Sequence, residues 1–177
     1  MGNFSGGFQF LISTIFDIFA FIVMLRFIMQ LTRANFNNPI GDLVVKATNP
    51  FLMPLRKIVP GIGGHDIPAL VLVFLILLVK YILLTALGGA SWVAALPLAL
   101  LGVLGAAIDV FLITIIVRVI LSWVAPGGHA FSGVLSSVTS PILNPIQKFI
   151  PPFNGLDLSP LVAILILYFI KIVLGLR

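Results

Sequence analysis

Four apolar stretches, at about 8–31, 67–87, 91–124 and 158–176, occupy more than half of the chain. Each is long enough to cross the hydrocarbon core of a bilayer, which takes about 20 predominantly apolar residues. In lipid, every backbone N–H and C=O must find a partner within the protein, so runs of this length form helices. Of the 177 residues, 60% are hydrophobic and only 8% are charged, and the mean hydropathy is +1.25. A soluble domain carries about 25% charged residues, so a soluble enzyme and a disordered chain are both excluded. The expected fold is all-α: a polytopic membrane protein with four transmembrane helices. The third stretch is too long for one perpendicular helix. Residues 92–101, which contain Pro97, are expected to form an interfacial lead-in, and 104–124 the span. A single long tilted helix is the alternative.

A repeat organises these stretches. Shifted by 91 positions, residues 48–83 lie over 139–174 with twelve identities: Thr48, Pro50, Leu52, Pro54, Lys57, Pro60, Gly64, Asp66, Leu70, Val71, Lys80 and Leu83. Shared apolar composition would produce leucine matches by accident, but not three prolines, two lysines, a glycine and an aspartate in register. Upstream the shift becomes 92, and Asp17, Phe19, Arg26 and Ile28 match Asp109, Phe111, Arg118 and Ile120. The chain thus reads as two direct repeats of helix, Pro-rich amphipathic loop, helix. The first covers 1–87 and the second 104–177, joined by an apolar connector at 88–103.

Each loop holds a short apolar segment (41–47; 132–138), followed by Asn49-Pro50 or Ser140-Pro141. Asn or Ser before Pro suits a helix start, because the side chain caps and proline lacks an N–H that would be unpaired anyway. The helix that follows would put Leu52, Leu55 and Val59 on one face beside Arg56 and Lys57. Its copy would put Leu143, Ile146 and Ile150 on one face beside Lys148. Such a segment is too short to span and should lie at the interface. Pro54 and Pro145 should kink or shorten it, and Pro60 and Pro151 mark its end. The first loop carries Arg33, Lys46, Arg56 and Lys57, the second Lys148, and 88–103 no charge. The positive-inside rule therefore places both Pro-rich loops in the cytoplasm and both termini outside.

The ionisable residues within the spans carry the information about function. A charge at a helix centre costs about 2.5–3.5 kcal/mol on the insertion scale, so such groups face the interior and pair. Depth along the helices matches Asp17 with Lys80 and Asp109 with Lys171, or the same pairs exchanged between the repeats. Arg26 and Arg118 lie nearer the cytoplasmic ends, at the depth of Asp66 and Asp157, which begin the following spans. Asp17 and Arg26 are nine residues apart and so on opposite faces, whereas Asp66 and Lys80 share a face. One neighbouring helix therefore cannot ideally satisfy both. Arg26 either turns to loop carbonyls or crosses to the other repeat or another subunit. The charges fix helix register in a small bundle on one reading, line an ion or proton path on a second and recognise a partner on a third, while Arg26 and Arg118 can also snorkel to the headgroups.

No catalytic or cofactor chemistry is visible. Cysteine is absent, which removes thiol catalysis and cysteine-bound zinc. His65 and His129 are single loop histidines with no partner at ligand spacing, and read as solvated residues rather than metal ligands. There is no nucleophile elbow and no phosphate-binding loop. The net charge of +5 fits basic loops facing an anionic leaflet better than direct nucleic-acid binding. The N-terminus lacks the basic region of a cleavable signal peptide, so the first apolar run is read as a retained span.

The second unit, RVILSWV at 118–124 followed by SPILNPIQKFIPPFNGLDLSP at 140–160, resembles the YggT (YlmG) family of small integral inner-membrane proteins. The shared pattern is an Arg-x-x-x-Ser-Trp span end, a Pro-x-Leu-x-Pro loop and a Gly-x-Asp-x-Ser-Pro entry to the next helix. Here the entry is Gly155, Asp157, Ser159 and Pro160. Two departures stand out. Gln147 occupies a position that is usually Arg and that Arg56 keeps in the first unit. The first unit also reads His65-Asp66-Ile67-Pro68-Ala69, without the Ser-Pro pair. The resemblance implies a non-enzymatic bacterial inner-membrane protein linked to envelope organisation, division or osmotic adaptation. Its plastid relatives are tied to photosynthetic membrane assembly, nucleoid distribution and haem attachment. The expected function is a scaffold or assembly factor, with a small, oligomeric ion channel or transporter as the alternative. The expected partners are the bilayer, a membrane or cytoplasmic protein, and a second copy of the chain.

Overall fold

The computed structural model describes residues 2–61, 63–88, 91–125, 130–152 and 157–176. Among them every regular element is helical: α1 (Gly2–Leu31), α2 (Pro39–Ile58), α3 (Ile67–Gly88), α4 (Ala95–Val124), α5 (Ser132–Phe149) and α6 (Ser159–Val173). Three helices are long and apolar enough to cross a membrane: α1, α3, and α4 with the 3-10 turn Trp92–Ala94 that leads into it. Helix α6 is equally apolar but has 15 residues, or about 22 Å at 1.5 Å per residue. That is shorter than the roughly 30 Å hydrocarbon core.

The expected lead-in at 92–101 is not a separate segment. Pro97 is the third residue of α4, within the first turn, where a missing N–H breaks no intrahelical bond. The helix therefore runs through it without interruption, and residues 95–103 of the expected connector belong to α4. Gly102 lets α4 approach α3 closely, since a Cβ there would lie 3.2 Å from Leu77 Cδ1 and 3.3 Å from Tyr81 Cε2.

The Pro-rich segments also differ from expectation. Neither helix begins at its expected motif: α2 starts eleven residues before Asn49-Pro50, at another Asn-Pro pair, and α5 starts at Ser132. Asn38 Oδ1 accepts from Gly41 N–H at 3.0 Å, and Pro39 takes the first position. A Cβ at residue 41 would sit 2.2 Å from the Phe36 carbonyl oxygen, so only glycine fits this entry. Both α2 and α5 run on through Pro50 and Pro54, and through Pro141 and Pro145. All four prolines lie on the exposed side, where water or headgroups can satisfy the carbonyls they leave without a donor. Gly41, Val44, Thr48 and Leu52 form the buried stripe of α2. Val134, Leu135, Val138, Thr139 and Leu143 form that of α5.

Helices α1, α2 and α3 pack against one another, and so do α4, α5 and α6. The two sets meet where α4 contacts α1 and α3 and where α5 touches α1. The main apolar cluster fills the space between α1, α3 and α4, with Leu52 of α2 and Val134 and Val138 of α5 at its end. A smaller cluster joins Leu112 and Ile115 of α4, Leu143 of α5, and Ala163 and Leu167 of α6. Large apolar side chains cover the outside, among them Phe10, Ile15, Leu165 and Phe169. That surface suits acyl chains rather than water.

Candidate functional site

The polar groups of the bundle form three levels. At the first, Lys80 Nζ of α3 donates to Asp17 Oδ1 and Oδ2 of α1 at 2.7 and 2.8 Å. Lys171 Nζ of α6 likewise donates to Asp109 Oδ1 of α4 at 2.6 Å. In both pairs the ammonium is covered and the carboxylate is more open. The side-chain exposures are 10% and 52% for Lys80 and Asp17, and 15% and 38% for Lys171 and Asp109.

At the second level, arginines of the long helices reach the amphipathic helices. Arg26 Nη1 donates to Thr48 Oγ1, and to Asn49 Oδ1 at 2.8 Å. Arg118 Nη1 donates to Thr139 Oγ1 at 2.5 Å. Each threonine passes its own proton down its helix, Thr48 to Val44 C=O at 2.6 Å and Thr139 to Leu135 C=O at 2.7 Å. Its oxygen is thereby left as a pure acceptor for the guanidinium. Both threonines are fully buried. The conflict over Arg26 is thus resolved on its own face of α1, by side-chain oxygens of α2 rather than by loop carbonyls or a second subunit. Arg26 makes no ion pair with Asp66.

At the third level, Asp66 pairs with Arg56 of α2 and is almost wholly covered. In the same arrangement Gln147 Nε2 of α5 donates to Asp157 Oδ2 at 2.8 Å. Asp157 Oδ1 also accepts the Ser159 N–H at 2.9 Å, which anchors the start of α6. Burial works to raise the Asp157 carboxyl pKa. Hydrogen bonds from Ser159 and Gln147 and the charge of Arg118 outweigh it, and hold the group below the usual carboxylate range.

The remaining motif residues have structural places. Lys57 and Lys148 are exposed in the last turns of α2 and α5, and Pro60 and Pro151 lie just beyond those helices. Ser159 and Pro160 open α6. Gly155 and His129 lie outside the described residues. His65 lines a cavity of about 370 Å³ with Gln30, Arg56 and Asp66. A second cavity, of about 510 Å³, lies between Thr32, just past α1, and Ser137, Ser140, Asn144 and Lys148 of α5. Helix α1 therefore ends on the side of the bundle where α5 packs, which is also where α4 ends. Neither cavity is lined by Asp17, Lys80, Asp109 or Lys171.

The threonine acceptors went unnoticed in the sequence because threonine is ordinary in an apolar helix. The available signal was that Thr48 and Thr139 stand in register in the repeat, at the only polar positions on otherwise apolar stripes.

The sequence profile of the CCB3/YggT family matches residues 6–87 and 97–176. The chain belongs to the CCB3/YggT family. A Pseudomonas aeruginosa relative, described as uncharacterised, is 40% identical over 163 residues, covering 89% of this chain and 83% of its own. The uncharacterised YggT protein of Escherichia coli is 34% identical over 165 residues, covering 92% and 86%. A chloroplastic YlmG homologue from Arabidopsis thaliana is 38% identical over 60 residues, 34% of this chain and 24% of its own. No solved structure matches significantly. The two stretches matched by the CCB3/YggT profile begin and end close to the two helix sets: α1 to α3 and α4 to α6.

Proposed function

We propose that this CCB3/YggT member is a non-enzymatic scaffold of the bacterial inner membrane, built from two copies of one helical hairpin with an amphipathic insert. The observation that carries this reading is how the membrane-level charges are spent. Lys80 on Asp17, Lys171 on Asp109, Arg26 on Thr48 and Asn49, and Arg118 on Thr139 tie helices together. Neither described cavity reaches the two Lys–Asp pairs. Four spans complete the proposal. Helix α6 crosses as a short span whose ends are extended by 174–176 and by local thinning of the bilayer, at a modest cost per ångström of mismatch. The basic ends of α2 and α5 face the cytoplasm, and both termini lie outside. Their exposed faces offer a platform for the leaflet, for a membrane or cytoplasmic partner, and for a second copy. Envelope organisation, division or osmotic adaptation is the setting that family membership suggests.

A second reading rests on one observation: the Asp17 and Asp109 carboxylates stay 52% and 38% open. In an oligomer they could border a polar path, making the protein a small channel or transporter. Reconstitution into liposomes with ion-flux measurement separates the two. The scaffold predicts flux no greater than in empty vesicles. Selective flux that disappears in Asp17→Asn would replace it with the channel.

A further inference from the structure

The two prolines of α5 leave a chemical signature on one wall of the 510 Å³ cavity. Pro141 has no N–H to give the Ser137 carbonyl, and Pro145 has none for the Pro141 carbonyl. Ser137, Pro141 and Pro145 recur every four residues, so they share a face, and all three line the cavity. The neighbouring hydroxyls add no donors. Thr32 Oγ1 donates to Ile28 C=O at 2.9 Å, Ser137 Oγ to Gly133 C=O at 2.9 Å, and Ser140 Oγ to Ser136 C=O at 2.5 Å. Each proton is committed to its own helix, and each oxygen keeps only lone pairs for the cavity. Against these acceptors stand two donors, the Asn144 amide and the Lys148 ammonium, and no acidic side chain lines the groove.

A matching ligand must bring several N–H donors, because acceptors cannot satisfy one another, and an anionic group for Lys148. A primary ammonium joined by a short spacer to a phosphate has both. A quaternary ammonium has no N–H to give. The groove lies just past the end of α1, on an amphipathic helix, and a span of the length of α1 carries its end to the headgroup level. We propose that it binds the headgroup of an ethanolamine phospholipid. The ammonium sits against the Ser137 and Pro141 carbonyls and the hydroxyl oxygens, and the phosphate sits at Lys148 and Asn144. Among the described residues α4 and α2 do not touch, so Pro50 and Pro54 face no equivalent wall and the groove occurs once. The proposal rests on the membrane reading but not on the scaffold role.

The test is native mass spectrometry of the full chain released from bilayers containing equal amounts of phosphatidylethanolamine, phosphatidylcholine and phosphatidylglycerol. The ethanolamine lipid should be retained about tenfold over the choline lipid, the worth of one or two net hydrogen bonds. It should also exceed phosphatidylglycerol. Replacing both Pro141 and Pro145 with Ala restores two N–H groups that recapture the carbonyls. Because alanine favours the helix, this variant folds, and its preference for ethanolamine over choline should vanish. Lys148→Ala should weaken retention of both. Equal retention of the ethanolamine and choline lipids by the native chain, or a preference that survives in the double alanine variant, would overturn the proposal. So would phosphatidylglycerol binding best, which would mean simple charge attraction. Displacement of the bound lipid by soluble phosphoethanolamine at equal concentration would reassign the groove to a free metabolite. Ion flux in the liposome experiment would remove the scaffold and leave this selectivity standing.

Discussion

Lys80 buries nearly all of its side chain to reach a carboxylate that stays half open. The asymmetry follows from length, since the four-carbon stem packs along apolar surface while Asp17 holds its charge close to α1. Lys80→Met strands the Asp17 charge, at an expected cost of about 2.5–3.5 kcal/mol. Adding Asp17→Asn should recover most of that. Thermal unfolding of the four proteins in one lipid mixture closes the cycle, and losses that simply add would mean the pair does not couple the helices. The Arg26–Thr48 contact gives a second prediction at this scale. Thr48→Val keeps the shape and removes the acceptor, so stability should fall by about 1–3 kcal/mol. The loss from Thr139→Val should be smaller, because Arg118 is less covered than Arg26. Opposite charges at matched depth made Asp17 and Lys80 readable as partners from spacing. The threonines were not readable, because their role depends on which face of α2 turns toward α1.

At the scale of elements, helix ends decide most of the architecture. Helix α1 stops with Arg33 in the left-handed region (φ 53), where the Ala34 N–H returns to the Met29 carbonyl at 2.8 Å and the Arg33 N–H to Gln30 at 3.1 Å. This is the position that glycine takes in a Schellman ending, and Gly175 (φ 64) takes it after α6. Arg33→Gly should raise stability by about 0.5–1 kcal/mol, read as a higher unfolding midpoint in detergent. The start of α6 gives a pH prediction. The folded-state pKa of Asp157 is depressed, so its contribution is present above the unfolded value near 3.9. It is lost as pH falls through the folded value. The stability gap between the native chain and Asp157→Asn should therefore be steady at neutral pH and close on strong acidification. A gap that widens in acid would mean the carboxylate is not held by Ser159 and Gln147. The helix start expected at Asn49-Pro50 loses to context. Asn38-Pro39 offered the same cap earlier, and the buried stripe from Gly41 to Leu52 holds one helix through the proline.

At the scale of the whole molecule, the proposed orientation is open to direct measurement. The chain has no cysteine, so single cysteines can be placed at will. Lys57→Cys and Lys148→Cys should react with a membrane-impermeant maleimide only in inverted vesicles, and Leu176→Cys only in intact cells with a permeabilised outer membrane. Labelling of Lys57→Cys and Lys148→Cys from opposite sides would end the direct-repeat proposal. What the sequence settled alone was the solvent and the pairing rules. Runs of about 20 apolar residues require lipid and helices, and a charge in such a run requires a partner at its own depth. These are local or one-dimensional constraints. The tertiary structure decided what depends on facing. It set α4 as one uninterrupted helix and α6 as a shorter one. It turned Arg26 to Thr48 rather than Asp66, and gave Asp66 to Arg56. It also brought Thr32 across from α5 to form a groove that no spacing in the chain announces. Each of these turns on which side of a helix meets its neighbour, and packing fixes that only once the helices are in place together.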